Sequence, residues 1–333
     1  MERIESPAYA RLGNSGLVVP SVGIGCNNLG RPGTPTQTQE GTNAVIAAAV
    51  EAGIGFFDIA DLYGAEPGLS ETMFGTAMRE LNLNRDDLII VTKFGLPTGT
   101  LNGNDWDARG SRRYIMRAVE GSLRRLGTEY IDLYFYHSPD QNTPLEETLS
   151  ALDTLVTSGK VRYLGHSNFA GWQLAHAEHL ARELGTERFI AAENHYNLLD
   201  RRAELEILPA ARHFGLGVLP YFPLANGLLT GKYRRDSIPA GSRLSHSKAQ
   251  VLAQADWEQL DAYREFCADL GVSEVQASIS WLKQQNPVAS VIAGATTPDQ
   301  VRANAQSASV RFNDDELARL NEIFPAPERI ALF

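Results

Sequence analysis

The chain has 333 residues, 43% of them hydrophobic and 21% charged, with a net charge of −10. That is ample for a large core, since a domain of about 300 residues hides about three-quarters of its unfolded surface. The acidic balance excludes a general nucleic-acid binder, which needs a basic face to meet phosphates.

Two cysteines, Cys26 and Cys267, are too few for a disulfide framework and make no metal spacing. The N-terminal stretch MERIESPAYARLG has no apolar targeting region, and no run approaches the ~18 apolar residues of a membrane span. The reading is a cytoplasmic protein with reduced thiols and no membrane partner.

In chain order, YARLG…GLVV suggests an N-terminal hairpin, and VPSVGIG (19–25) reads as a strand. A helical pattern over 38–53 stops at Gly53, and GFFDIAD (55–61) is a second strand. Helix 69–81, strand 87–93, a Gly- and Asn-rich loop and helix 111–127 follow. Further strand candidates are IDLYFYH (131–137), VRYLGHS (161–167), FIAAENHY (189–196), GVLPYFP (217–223) and VASVIAG (288–294). Each is followed by a helical pattern, the last being TPDQVRANAQ (297–306).

Helices between strands impose parallel pairing, because a parallel crossover needs a dozen or so residues. Eight such units predict a (β/α)8 TIM barrel with an N-terminal β-hairpin and extra C-terminal helical segments, forming one domain over 1–333. An open doubly wound sheet is the alternative. It usually carries G-x-G-x-x-G after its first strand, and GIGCNNLG has the wrong spacing.

Chemistry in such a barrel sits at the C-terminal ends of the strands. Those ends hold Asp58 with Tyr63 just beyond, Lys93, His137, Ser167–Asn168, Glu193 and Tyr221. Singly, each has a bland explanation as a turn residue, a packed ring or a snorkelling amine. Together they suit addition of hydride to a carbonyl, in which negative charge grows on oxygen and a proton must arrive. A phenol made more acidic by a nearby ammonium can deliver it. Asp61, in the same segment, reads as a polar residue on an exposed loop.

FDIADLYG with LSE, VTKFG, RLGTEYIDLYFYHSPD, GHSNF, ENHYNLLDR, GVLPYFPLANGLLTGKY and AGATTPDQVRAN lie in order along almost the whole chain. This succession resembles the aldo-keto reductase superfamily, in a bacterial type related to the potassium-channel β-subunit branch. The resemblance implies an NADP-dependent oxidoreductase that reduces aldehydes or ketones reversibly, with NAD as the alternative nucleotide. By resemblance Tyr63 donates the proton, Lys93 and Asp58 tune it, and His137 positions the carbonyl.

The nicotinamide carboxamide would meet Ser167, Asn168 and Glu193, with Tyr221 stacked on the ring. Leu224, Gly227, Leu228, Lys232 and Arg243 would serve the rest of the nucleotide after strand seven. Gly294, Thr296, Gln300 and Asn304 would do so after strand eight, where a helix N-terminus near Pro298 suits an anion. Three departures stand out. Glu193 occupies a position where the family commonly has Gln, and an ionised Glu cannot donate. Phe222 replaces a small polar residue, and Ala303 replaces an acid of some relatives.

Loop 94–110, the stretch 225–254 and the tail around Phe333 are expected to wall the substrate pocket, with Asn28, Trp106 and His137 as substrate contacts. The partner is a small carbonyl compound, and the chain acts as monomer or homo-oligomer. Two other readings are weaker. A metal hydrolase built on His137, His166 and His195 leaves Asp58, Tyr63 and Lys93 without a role, and no metal is expected. A nucleotide-binding regulatory or sensor protein, as in channel β subunits, is the second.

Overall fold

A two-stranded antiparallel hairpin, β1 (Tyr9–Arg11) and β2 (Val18–Pro20), leads the chain into an eight-stranded parallel sheet. The computed structural model describes residues 8–239, 242–246 and 249–328. The strands are β3 (Val22–Gly25), β4 (Phe56–Asp58), β5 (Ile89–Phe94), β6 (Ile131–Tyr136), β7 (Val161–Ser167), β8 (Phe189–His195), β9 (Gly217–Tyr221) and β10 (Val291–Gly294). They pair in chain order, and β10 returns to lie beside β3. The ends meet where Val218 N donates to Pro287 O at 3.0 Å and Ala289 N donates to Val218 O at 3.0 Å. The architecture is the predicted (β/α)8 barrel.

The first predicted strand, 19–25, is two. Val19 and Pro20 belong to the hairpin, and the barrel strand begins after Ser21. Pro20 has no N–H to give a central ladder, so it suits a two-stranded edge. Ser21 turns the chain, donating its N–H to Ala8 O at 2.7 Å while its carbonyl accepts from Val291 N at 2.9 Å.

The helices start and stop where their flanking residues allow. In α1 (Gln39–Glu51) the Thr38 hydroxyl accepts from Gly41 N. In α3 (Arg112–Leu126) Ser111 caps the start, and Gly127 ends it at φ 68. With α2 (Leu69–Glu80), α4 (Leu145–Thr157), α5 (Gly171–Leu184) and α6 (Ile207–Phe214), they cover the outside of the sheet. Beyond β9 lie α7 (Arg243–His246), α8 (Ala249–Ala253), α9 (Trp257–Leu270) and α10 (Glu274–Gln284). The barrel ends with α11 (Pro298–Gln306), after which α12 (Asp314–Ile323) packs on α9. No helix among the described residues is long and apolar enough to cross a membrane.

Strand side chains alternate between two apolar layers. The outward layer packs against the helices, with Phe57, Ile90, Tyr134 and Val218 among it. The inward layer fills the barrel with Phe56, Val91, Leu133, Phe135, Ala191, Leu219 and Ile292. Leu12 and Val19 join this interior from the hairpin, which therefore plugs one end. Close approach there explains Gly13: a Cβ on it would stand 2.3 Å from Gly215 O and 2.6 Å from Gly217 N.

Candidate active site

Two residues further along each strand, the same inward alternation turns polar. Asp58 follows Phe56, Lys93 follows Val91 and His137 follows Phe135. On the later strands Ser167 follows Gly165, Glu193 follows Ala191 and Tyr221 follows Leu219. Period-two geometry thus gathers six polar residues from six strands at one mouth of the barrel.

Lys93 is the centre of the group and is fully buried. Its ammonium donates to Asp58 Oδ1 and, at 3.1 Å, to Ile59 O. It lies 3.5 Å from the Tyr63 hydroxyl and 3.4 Å from Glu193 Oε2. Burial alone would strip the proton from Lys93, but the charge of Asp58, the largest opposing influence, and its hydrogen bond hold the ammonium protonated.

Tyr63 reaches this centre from the loop after β4. That loop is pinned where Ser70 N donates to Tyr63 O at 3.0 Å and Gly68 N donates to Asp61 O at 2.7 Å. The residue as a whole is half-buried. The expected gain in acidity is not met in this structure. Withdrawal from water is the largest effect on the phenol and raises its pKa, and Asp58 and Glu193 raise it further. Lys93 pulls the other way. The phenol is therefore a retained proton, not a phenolate.

His137 faces Tyr63 edge-on, with ring centres 5.8 Å apart. Its Nδ1 is buried and accepts or donates no hydrogen bond. Burial, then the field of Lys93, pushes its pKa well down, so the imidazole is neutral. The other two histidines have separate neighbourhoods. His166 turns outward and stacks on Phe169 at 4.4 Å, whereas His195 stacks on Tyr221 and holds Asp200 at 3.0 Å from Nδ1.

Glu193 is buried, and Oε2 accepts no hydrogen bond of ordinary geometry. Burial pushes its pKa up to about 8, and repulsion from Asp58 adds to this. Asp58 is likewise pushed up by burial, but Lys93 opposes that directly. Of the two acids, Asp58 holds the ammonium directly, and Glu193, hydrogen-bonded to Asp58, is the one pushed toward its protonated form. An acid in that state can donate a hydrogen bond, so the departure from Gln keeps a donor.

Asn168 ties three strands together at φ 60. Its amide donates to His137 O at 2.9 Å and to Ser167 Oγ at 3.0 Å, and its oxygen accepts from the Tyr221 hydroxyl at 2.8 Å. Tyr221 is half-buried at the mouth, one ring face covered by His195.

The loop after β9 carries Leu224, Gly227, Leu228 and Lys232, of which Lys232 is exposed and Leu228 buried. Its backbone is unusual: Phe222, Ala225 and Asn226 all have positive φ (53, 47 and 59°). Such values are rare for residues with a Cβ and cluster at functional loops. Arg243 opens α7, and its side chain lies outside the described residues, as does the Phe333 tail. Past β10, Gln300 Oε1 accepts from Thr296 N at 2.8 Å, while Asn304 is buried with its amide 3.4 Å from Gly294 O.

Of the three expected substrate contacts, His137 joins the Lys93 group, while Asn28 and Trp106 have other contacts. Asn28 donates to Ala295 O at 3.4 Å, beside the turn after β10. Trp106 is 64% exposed on the loop after β5, and the Arg113 guanidinium covers its ring at 4.6 Å.

Asp61 requires correction. It is fully buried, not an exposed loop residue. Its N–H continues the β4 ladder to Lys93 O, and Oδ2 accepts from Asn102 Nδ2 at 2.8 Å. Asn102 in turn donates to the Tyr114 hydroxyl at 3.2 Å. Burial, then Glu71, drives the Asp61 pKa well up from the ordinary aspartate range. This chain joins the Tyr63 loop to the loop 94–110, a link that sequence reading missed. The signal was the strand read over 55–61, whose last residue is Asp61.

The geometry agrees with the comparisons to known proteins. The aldo/keto reductase family model matches residues 21–324. The chain is 36% identical over 323 residues to the uncharacterized oxidoreductase YrpG of Bacillus subtilis, covering 96% of each chain. It is 34% identical over 332 residues to L-glyceraldehyde 3-phosphate reductase of Escherichia coli K12, covering 96% of this chain and 93% of that one. It is also 34% identical over 308 residues to a probable voltage-gated potassium channel subunit beta of rice, covering 91% of each. With a parallel eight-stranded barrel and an acid, a lysine and a tyrosine meeting at its mouth, the chain belongs to the aldo/keto reductase family.

Proposed function

We propose that the protein is an NADP-dependent, reversible reductase of aldehyde or ketone carbonyls, with Tyr63 as the proton donor. The observation that carries this reading is the buried contact of Lys93 with Asp58, 3.5 Å from the Tyr63 hydroxyl, under a neutral His137.

The residues at the mouth fit a nicotinamide. Tyr221 offers a ring whose other contacts, His195 and Asn168, hold it in one plane. Glu193, carrying a proton, supplies a donor for a carboxamide oxygen, and Ser167 and Asn168 supply hydroxyl and amide groups beside it. Lys232, exposed after β9, and Arg243 suit the additional phosphate of NADP. Gly294, Thr296, Gln300 and the start of α11 suit the remaining anionic portion. When bound, the nucleotide supplies the hydride.

The protein's own part is to hold the carbonyl and to move a proton. His137, neutral, hydrogen-bonds the carbonyl oxygen and orients it without adding a competing charge. The Tyr63 phenol protonates that oxygen as negative charge builds there, which is worth typically 10²–10⁴-fold. Lys93 stabilises the phenolate left behind, and Asp58 keeps Lys93 in place and charged. In the reverse direction the same phenolate accepts the alcohol proton. Loop 94–110, fastened to the Tyr63 loop through Asn102, walls the substrate side.

The test is a panel of aldehydes and ketones, including L-glyceraldehyde 3-phosphate, followed by NADPH absorbance and repeated with NADH. Turnover with NADPH exceeding that with NADH supports the reading. Tight NADPH binding with no turnover on any carbonyl would favour the second reading, a regulatory or sensor protein, which the likeness to channel β subunits favours.

A further inference from the structure

Lys93 is the one ammonium between two buried carboxyl groups, Asp58 and Glu193. Tyr63 and His137 are neutral, so Asp58 alone balances the charge on Lys93. Glu193 is a surplus acid. Protonated, it leaves the group neutral; ionised, it gives the barrel mouth one uncompensated negative charge.

We propose that Glu193 sets the preference of the site between the oxidised and the reduced nicotinamide, releasing its proton to solvent beside the positively charged oxidised ring and keeping it beside the reduced ring. This rests on the reading that a nicotinamide nucleotide binds at this mouth.

Three observations carry it. Glu193 points into the barrel from β8, one strand from Tyr221, and its charge acts on the Tyr221 phenol. Its Oε2 is buried with no hydrogen bond of ordinary geometry, and its nearest cation, Lys93 at 3.4 Å, is shared with Asp58, so the ionised form is only partly compensated. The charged and titratable groups facing it are Asp58 on β4, Tyr63 on the following loop, Lys93 on β5 and Tyr221 on β9. Of these only Lys93 favours its ionisation, and Asp58 has already engaged that ammonium.

A pKa raised to about 8 puts the proton on Glu193 at neutral pH. A positive ring nearby lowers that value, so binding of the oxidised form releases a proton. Affinity for the oxidised form then rises with pH, by up to about tenfold per unit, and levels off above about pH 8. The reduced ring carries no charge and leaves the proton in place. The phosphates titrate alike in both forms, so the ratio of the two affinities isolates the ring. At neutral pH the site thus holds the oxidised nucleotide less tightly than a permanent carboxylate would.

The experiment measures dissociation constants of NADP⁺ and NADPH between pH 6 and 9 by calorimetry, in the parent and in Glu193→Gln. The preference for NADP⁺ over NADPH is expected to rise roughly tenfold from about pH 6.5 to 8 in the parent and to stay within about twofold in the variant. Repeating the titration in two buffers of different ionisation enthalpy counts protons without any variant. Release of an extra proton with NADP⁺ supports the inference, and equal proton release with both nucleotides overturns it. A ratio that is flat in the parent, or rises equally in the variant, also overturns it while leaving nucleotide binding intact. If neither nucleotide binds at any pH, the functional reading falls and this inference with it.

Discussion

Thr92 and Lys93 are neighbours on β5, yet they serve two different buried polar clusters. Thr92 points outward, where its hydroxyl donates to Glu71 Oε1 at 2.7 Å and Arg125 Nε donates to Glu71 Oε2 at 2.6 Å. Each oxygen of that carboxylate has a donor, and one cation matches one acid. Lys93 points inward, where one cation meets two acids, and Glu193 Oε2 and His137 Nδ1 lack hydrogen bonds. Both clusters are largely withdrawn from water. What differs is satisfaction: the outer cluster fastens α2 and α3 to the sheet, and the inner one keeps polar atoms available for something else to meet.

Breaking each cluster should therefore have opposite signatures. Replacing Lys93 with Met is expected to lower kcat by about 10²–10⁴, since the phenol loses the charge that stabilises its conjugate base. Steady-state assays with matched circular dichroism check this, and a loss below about tenfold would make the two clusters equivalent. Replacing Arg125 with Met should instead cost stability, about 2–4 kcal/mol, because Glu71 is left buried without its cation. Denaturant unfolding reads that cost, with kcat per folded molecule staying within about twofold of the parent.

The surplus acid sharpens the contrast through pH. A carboxyl whose pKa is raised on folding stabilises relative to its ionised form below the unfolded value, and that contribution is lost as pH climbs through the folded value. For Glu193 the window runs from the ordinary glutamate range to about 8. Parent stability relative to Glu193→Gln should fall across it, by of order 1 kcal/mol per pH unit. His137 titrates in both proteins, so it cancels from the difference. Denaturant unfolding at about pH 5, 6.5 and 8 measures the slope, and a difference that does not change with pH contradicts the assignment of the proton.

Asp61→Asn should do least. Burial pushes the Asp61 pKa up toward the neutral acid, and Asn preserves its shape and the acceptor for Asn102, so stability should change by about 1 kcal/mol or less. A loss several times larger, read by the same unfolding assay, would mean that Asp61 is ionised and belongs with the charged cluster.

The barrel and the inner cluster were legible because both depend on local periodicity. Phe56, Val91 and Phe135 are inward apolar residues, and counting two onward on each strand reaches Asp58, Lys93 and His137. Alternation within a strand survives any detail of packing. The outer cluster was not legible, since Glu71 and Arg125 lie 54 residues apart and meet only because α2 packs beside α3. Asp61 was misread because its acid group suggested solvent, whereas the β4 ladder carries it inside. The proton on Glu193 depends on burial and on Asp58 from another strand, neither of which a residue identity records.

The central claim is that Tyr63 delivers the proton while the remainder of the inner cluster binds and orients. Tyr63→Phe removes only the hydroxyl, 3.5 Å from Lys93. Single-turnover reduction of a carbonyl substrate with that variant, alongside its NADPH dissociation constant, tests the claim directly. The rate is expected to fall by about 10²–10⁴, with NADPH affinity within about threefold of the parent. A rate within about threefold of the parent would contradict it.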